Sequence, residues 1–161
     1  MQPRLDFKKV APGAYQAMAG LERYVRQSSQ LEPSLLELVR MRASQINGCA
    51  FCLDMHSKDA RAAGETEQRL YTLSAWRETP FFTDRERAAL AWTEAITRIS
   101  SSQAPDEIYE EARKEFSEEE LVNLTIAIVA INGWNRLAIG FRTLPGTYQP
   151  APAQSTSAGK L

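Results

Sequence analysis

Apolar residues recur three and four positions apart along nearly the whole chain, and no stretch alternates apolar and polar with a period of two over the length of a strand. A chain patterned this way can bury its apolar faces only as helices packed on one another, so the fold class is all-α. A first helix is expected over 12–28. A second opens at Pro33, where proline costs nothing because a first-turn amide lacks an intrahelical partner anyway. Leu35, Leu38, Val39, Arg42 and Ile46 form its inward stripe. Asn47 and Gly48 then supply the left-handed conformation that ends a helix. The chain restarts as a helix at Cys49 and continues to Ala63, where Gly64 stops it. In "TDRE" from Thr83 and "SEEE" from Ser117, a hydroxyl residue precedes Glu by three, the reciprocal capping pattern that opens a helix. These frame helices near 84–99 and 118–141, with a shorter one after Pro105.

A length of 161 residues suits one domain with a single core. Nineteen basic against twenty acidic side chains, with no long block of either sign, disfavour nucleic acid and anionic membrane as partners. The opening "MQPRLDFKKVAPG" has charge but no apolar run behind it, so it does not read as a secretory signal, and a cytoplasmic location is expected. The run 121–131, "LVNLTIAIVAI", is about half the length a bilayer requires and contains Asn123 and Thr125. It reads as a buried core helix. From Thr143 the sequence becomes "TLPGTYQPAPAQSTSAGKL", with too little apolar surface to order itself. The expected organisation is therefore a helical domain over 1–142 and a C-terminal tail over 143–161, flexible or packed on a neighbouring subunit.

Both cysteines and the only histidine fall within 47–56, "NGCAFCLDMH". In a reducing compartment a close cysteine pair points to redox chemistry or metal binding rather than a permanent staple. On a helix, Cys49 and Cys52 bring their Cα atoms to roughly 5 to 6 Å, inside the window a disulfide tolerates. His56 follows Cys52 by four, so its ring lies on the same face and can exchange a proton with that sulfur. The helix start stabilises a thiolate, which on position alone favours Cys49 as the more acidic thiol. Glu37 precedes the Asn47-Gly48 turn by about as many residues as His56 follows it. In an antiparallel hairpin their heights differ by about 3 Å, which makes Glu37 the candidate that orients the imidazole. Inert buried thiols are the plain alternative. Zinc on Cys49, Cys52, His56 and Glu37 is the sharper one, but structural zinc usually takes four Cys or His ligands and the chain has three such groups. No metal or other cofactor is expected. Asp54 and Lys58 are expected on a solvated face. Trp134, Asn135 and Arg136 are expected to cap a core helix that packs on a partner subunit.

The segments "LLELVRMRASQINGCAFCLDMHSKDARAAGE", "FTDRERAALAW" and "INGWNRLAIGFR" resemble the alkylhydroperoxidase D-like (AhpD-like) branch of the carboxymuconolactone decarboxylase superfamily. The likeness covers most of 35–142. It implies an all-helical subunit that assembles as a trimer or hexamer, and a CxxC that reduces peroxide and is re-reduced by a thiol or dithiol donor. Carried over by position, Glu37 and His56 form the proton relay, Cys52 attacks the peroxide and Cys49 is the resolving thiol. The helix-start argument ranks the cysteines the other way; the nearness of the base favours Cys52. The best-studied peroxidases of this family carry a histidine directly before the second cysteine, where this chain has Phe51. A phenyl ring cannot shuttle a proton, which weighs against peroxidase efficiency and leaves dithiol–disulfide exchange intact. The superfamily's decarboxylases lack the CxxC, so the lactone reaction is not expected. The competing expectation is a non-catalytic helical oligomer whose CxxC senses redox state or binds zinc.

Overall fold

The computed structural model describes residues 1–150. Among them there are nine α-helices and no strand: α1 (Phe7–Val10), α2 (Pro12–Ser28), α3 (Pro33–Asn47), α4 (Ala50–Ala62), α5 (Glu67–Thr72), α6 (Asp84–Thr97), α7 (Ile99–Ser102), α8 (Asp106–Glu115) and α9 (Glu118–Phe141). A 3-10 helix, Leu73–Glu78, joins α5 to α6. Helix α3 is the axis, with α4, α6 and α9 all packed on it. Leu35, Leu36, Leu38, Val39, Arg40, Met41, Ala43 and Ser44 are all buried, whereas Arg42 and Ile46 are half-buried. The expected single inward stripe is thus replaced by burial on almost every side, because a helix enclosed by three others has no solvent face left to keep polar.

Helix α9 opens with both halves of its capping box in place: the Ser117 hydroxyl accepts from the Glu120 amide and the Glu120 carboxylate accepts from the Ser117 amide. Leu124, Ala127, Ile128 and Ala130 join Leu35, Val39 and Trp92 in the main core. By length and composition this helix could cross a membrane. Its inner side rests instead on α2, α3 and α6 and carries buried Asn123, Asn132 and Asn135. Each of these amides is hydrogen-bonded, which a buried amide requires. Val122 and Val129, 61% and 49% exposed, face outward.

The corner between α3 and α4 is fastened by the same helix. Gly48 alone takes the left-handed conformation, at φ 70°, and ends α3. Asn47 remains helical and uses its side chain, donating to Asn132 Oδ1 at 2.9 Å and Asn135 Oδ1 at 2.8 Å. Asn135, fully buried, donates in turn to Ser44 Oγ at 3.1 Å. Asn135 therefore ties the corner that carries the cysteines to the core.

Beyond Arg142 the first part of the C-terminal segment packs on its own chain. The Gly146 amide donates to Asp54 Oδ2 at 3.0 Å, Lys58 Nζ donates to the Tyr148 carbonyl at 3.1 Å, and Tyr148 Oη donates to Asp59 Oδ1 at 2.6 Å. The segment has too little apolar surface to be ordered by burial and is held instead by these hydrogen bonds to α4. For the same reason Asp54 and Lys58 are half-buried rather than solvated. The rest of the tail, 151–161, lies outside the described residues.

Candidate active site

Cys49 is the N-cap of α4, and its sulfur accepts from the Cys52 amide at 3.4 Å. A sulfur there receives the unpaired amides and the positive end of the helix dipole, both of which favour negative charge on it. Cys49 and Cys52 are joined as a disulfide with Cα atoms 5.3 Å apart, so one helical turn accommodates the bond. Both are 1% exposed.

Four residues past Cys52, His56 is 3% exposed and hydrogen-bonded through Nδ1 to Glu37 Oε2 at 2.8 Å. The antiparallel hairpin brings these two together across 19 positions of sequence, and Nε2 is the ring nitrogen that Glu37 leaves unengaged. Glu37 is itself held: Arg40 donates to its Oε1 at 2.6 Å and also to Glu22 Oε1 at 2.6 Å, and Glu22 accepts from Arg26 at 2.9 Å. Burial by itself pushes the Glu37 carboxyl up, but the hydrogen bonds and charges of His56 and Arg40 outweigh it and hold the group below its ordinary value. Glu37 is an anion at neutral pH, as an orienting group for imidazole must be.

Asp59, one turn beyond His56, adds a second carboxylate: ligating atoms of Glu37, His56 and Asp59 lie within 4.8 Å of one another. This trio, without either cysteine, is the group of metal-ligating atoms gathered among the described residues. Arg40 already binds Glu37 and the Tyr148 phenol already binds Asp59, so the donor set fits proton handling better than a cation. Burial, then the hydrogen bond and charge of Asp59, push the Tyr148 phenol up to about 12. It stays protonated and keeps donating.

Cys52 and His56 border a cavity of about 280 Å³ with Phe7, Tyr15, Phe51, Met55 and Trp134. Cys49 does not face it and borders a separate hollow of about 420 Å³ beside Arg4 and Arg142. The sulfur that shares a cavity with the imidazole is therefore Cys52, with Cys49 behind it. Trp134, expected only to pack, is a wall of this cavity, and its ring meets that of Tyr15 edge-on at 5.8 Å. Arg136 donates back to the Asn132 carbonyl on its own helix. Of the residues the sequence reading passed over, Asp59 and Arg40 carried a signal, each being three positions from a site residue on the same helix. Tyr148 carried none.

Residues 12–95, half of the chain, match the carboxymuconolactone decarboxylase family. The uncharacterized protein YdfG of Bacillus subtilis is 46% identical over 139 residues, which cover 86% of this chain and 94% of YdfG. The crystal structure of ATU0492 from Agrobacterium tumefaciens, a protein of unknown function provisionally assigned as the antioxidant defence protein AhpD, superposes with a TM-score of 0.87 at 48% identity. It covers 91% of this chain and 100% of that one. The debrominase Bmp8 superposes with a TM-score of 0.76 at 21% identity, over 84% of this chain and 73% of that one, and shares the fold. By these likenesses in sequence and in fold, this chain belongs to the carboxymuconolactone decarboxylase family as an AhpD-like member.

Proposed function

We propose that the protein is a thiol-dependent peroxidase with disulfide oxidoreductase chemistry, acting in antioxidant defence. The observation that carries this reading is the shared cavity of Cys52 and His56, with Cys49 in disulfide reach and Glu37 bonded to the ring. In the reduced protein His56 takes the Cys52 proton, and the thiolate attacks the terminal oxygen of a hydroperoxide. The O–O bond breaks, the proton passes to the departing alkoxide, and an alcohol leaves Cys52 as a sulfenic acid. Attack by the Cys49 thiolate on that sulfur expels water and forms the disulfide. Two electrons and two protons from an external dithiol then restore both thiols, so one peroxide is reduced to alcohol and water per dithiol oxidised. Phe51, between the two cysteines, supplies no proton, which leaves His56 as the relay's only imidazole.

The exposed Val122 and Val129 on α9 support assembly as a homo-oligomer, a trimer or hexamer. The deciding measurement is turnover of hydrogen peroxide and of an organic hydroperoxide with a dithiol reductant, with metal analysis of the same sample. Turnover that disappears in Cys52→Ser is the expected result. Stoichiometric zinc without turnover would replace the peroxidase by a metal-binding oligomer.

A further inference from the structure

The cavity over Cys52 is closed on one side by a piece of chain that has no regular structure. Thr143 and Tyr148 are among its walls; the Thr143 amide is bonded back to Ala138 of α9, and the three hydrogen bonds that hold 146–148 all end on α4, the helix that carries Cys52 and His56. The shortest of them, Tyr148 Oη to Asp59 Oδ1 at 2.6 Å, joins the strap to the carboxylate nearest the Glu37–His56 pair. An isolated segment of this composition is not ordered by apolar burial. Its position therefore depends on these bonds, and the size of the cavity depends on its position.

We infer that Tyr148, latched to Asp59, is a specificity-determining residue whose strap limits the size of molecule that reaches Cys52. The occupant this selects is a small organic hydroperoxide with an apolar body; that identity rests on the peroxidase reading above, whereas the size limit does not. At about 280 Å³ the cavity lies just below the range that holds drug-sized ligands, and six aromatic or thioether side chains line it. The phenol remains protonated well above neutral pH, so the latch persists under working conditions. Its donation to a carboxylate is of the stronger, charge-assisted kind.

The test uses the reduced full-length protein and one reactive group in two sizes, N-ethylmaleimide and N-(1-pyrenyl)maleimide, with modification of Cys52 followed by peptide mass spectrometry. Tyr148→Phe keeps the ring and loses the latch. It should raise the rate with the pyrenyl reagent about tenfold, the factor that loss of one hydrogen bond to a charged group corresponds to, and leave the ethyl reagent within about twofold. Tyr148→Ala should raise it further. Asp59→Ala, which has no acceptor, should mimic Tyr148→Phe, and the double variant should exceed neither single one, because both remove the same bond. An unchanged pyrenyl-to-ethyl ratio in Tyr148→Ala overturns the inference, as does an equal rise with both reagents or an additive double variant. The substrate arm compares tert-butyl hydroperoxide with a lipid hydroperoxide: Tyr148→Ala should move kcat/KM toward the lipid, and no movement would remove the assigned class. Maleimide reactions need no peroxide. Absent turnover in the unmodified protein would therefore sink the peroxidase reading and leave the size limit standing.

Discussion

Replacing Glu37 by Gln should slow alkylation of Cys52 by about tenfold, and the structure shows why a change of one atom suffices. The carboxylate serves two donors, His56 Nδ1 at 2.8 Å and Arg40 at 2.6 Å, one on each oxygen. An amide has a single acceptor oxygen. The guanidinium cannot give up its protons, so the oxygen of the substituted side chain must face Arg40. The amide nitrogen then faces His56 Nδ1 and donates to it, which moves the ring proton to the nitrogen on the Cys52 side. An imidazole in that tautomer cannot accept a proton from the thiol. Even a ring that avoids the flip exchanges a charge-assisted bond for a neutral one, a loss of about 1 to 1.5 kcal/mol, or about tenfold in the population of the thiolate–imidazolium pair. The assay is the second-order rate with iodoacetamide at neutral pH in a Cys49→Ser background, where serine preserves the N-cap and Cys52 is the sole thiol. His56→Ala should slow the reaction as well, and the double variant should be no slower than His56→Ala alone, since Glu37 acts only through the ring. An undiminished rate in Glu37→Gln, or additive losses in the cycle, would refute the reasoning.

Two further outcomes follow from the buried charges. Arg40→Met should destabilise the protein by about 3 kcal/mol or more in chemical denaturation, because a side chain 4% exposed that bridges Glu22 and Glu37 leaves two carboxylates facing each other when its charge is removed. A loss below about 1 kcal/mol would mean that water reaches the pair. Glu37, Glu86 and Glu94 all titrate below the ordinary carboxyl value of 4.5: burial opposes this in each, and it is outweighed by His56 and Arg40, by Arg69 and the Thr83 amide, and by Trp76, Arg77 and Arg42 respectively. Since the folded values are depressed, their stabilisation is present above about pH 4.5 and is lost as pH falls through the folded values. The denaturation midpoint should therefore be insensitive to these groups between about pH 5 and 7 and decline below about 4.5, and a midpoint that rose on acidification through that window would contradict the ion-pair assignments.

The helices were legible because their signals are local. Pro33, Gly48 and the two capping boxes act within one turn of where they stand, and the observed α3, α6 and α9 begin at the residues those signals mark. The pairing of Glu37 with His56 was also legible, although 19 residues separate them, because a rigid rise per residue on both sides of a tight turn converts sequence distance into height. The extent of burial was not. Whether Arg42 or Arg40 turns inward depends on how many neighbours surround α3, and Arg40 lies inside because Glu22 from α2 and Glu37 accept its charge there.

By itself, then, the sequence determined the helical class, the corner at Gly48 and the face on which Cys52, His56 and Glu37 meet, since periodicity, caps and turn chemistry are properties of short stretches of chain. The packing of the helices, by contrast, set Cys52 rather than Cys49 in the cavity with the imidazole, made Trp134 one of its walls, let Asn135 hold the corner and laid Tyr148 along one side. Those contacts join residues as many as 91 positions apart. Each depends on where whole helices come to rest against one another, and no local pattern of residue types encodes that.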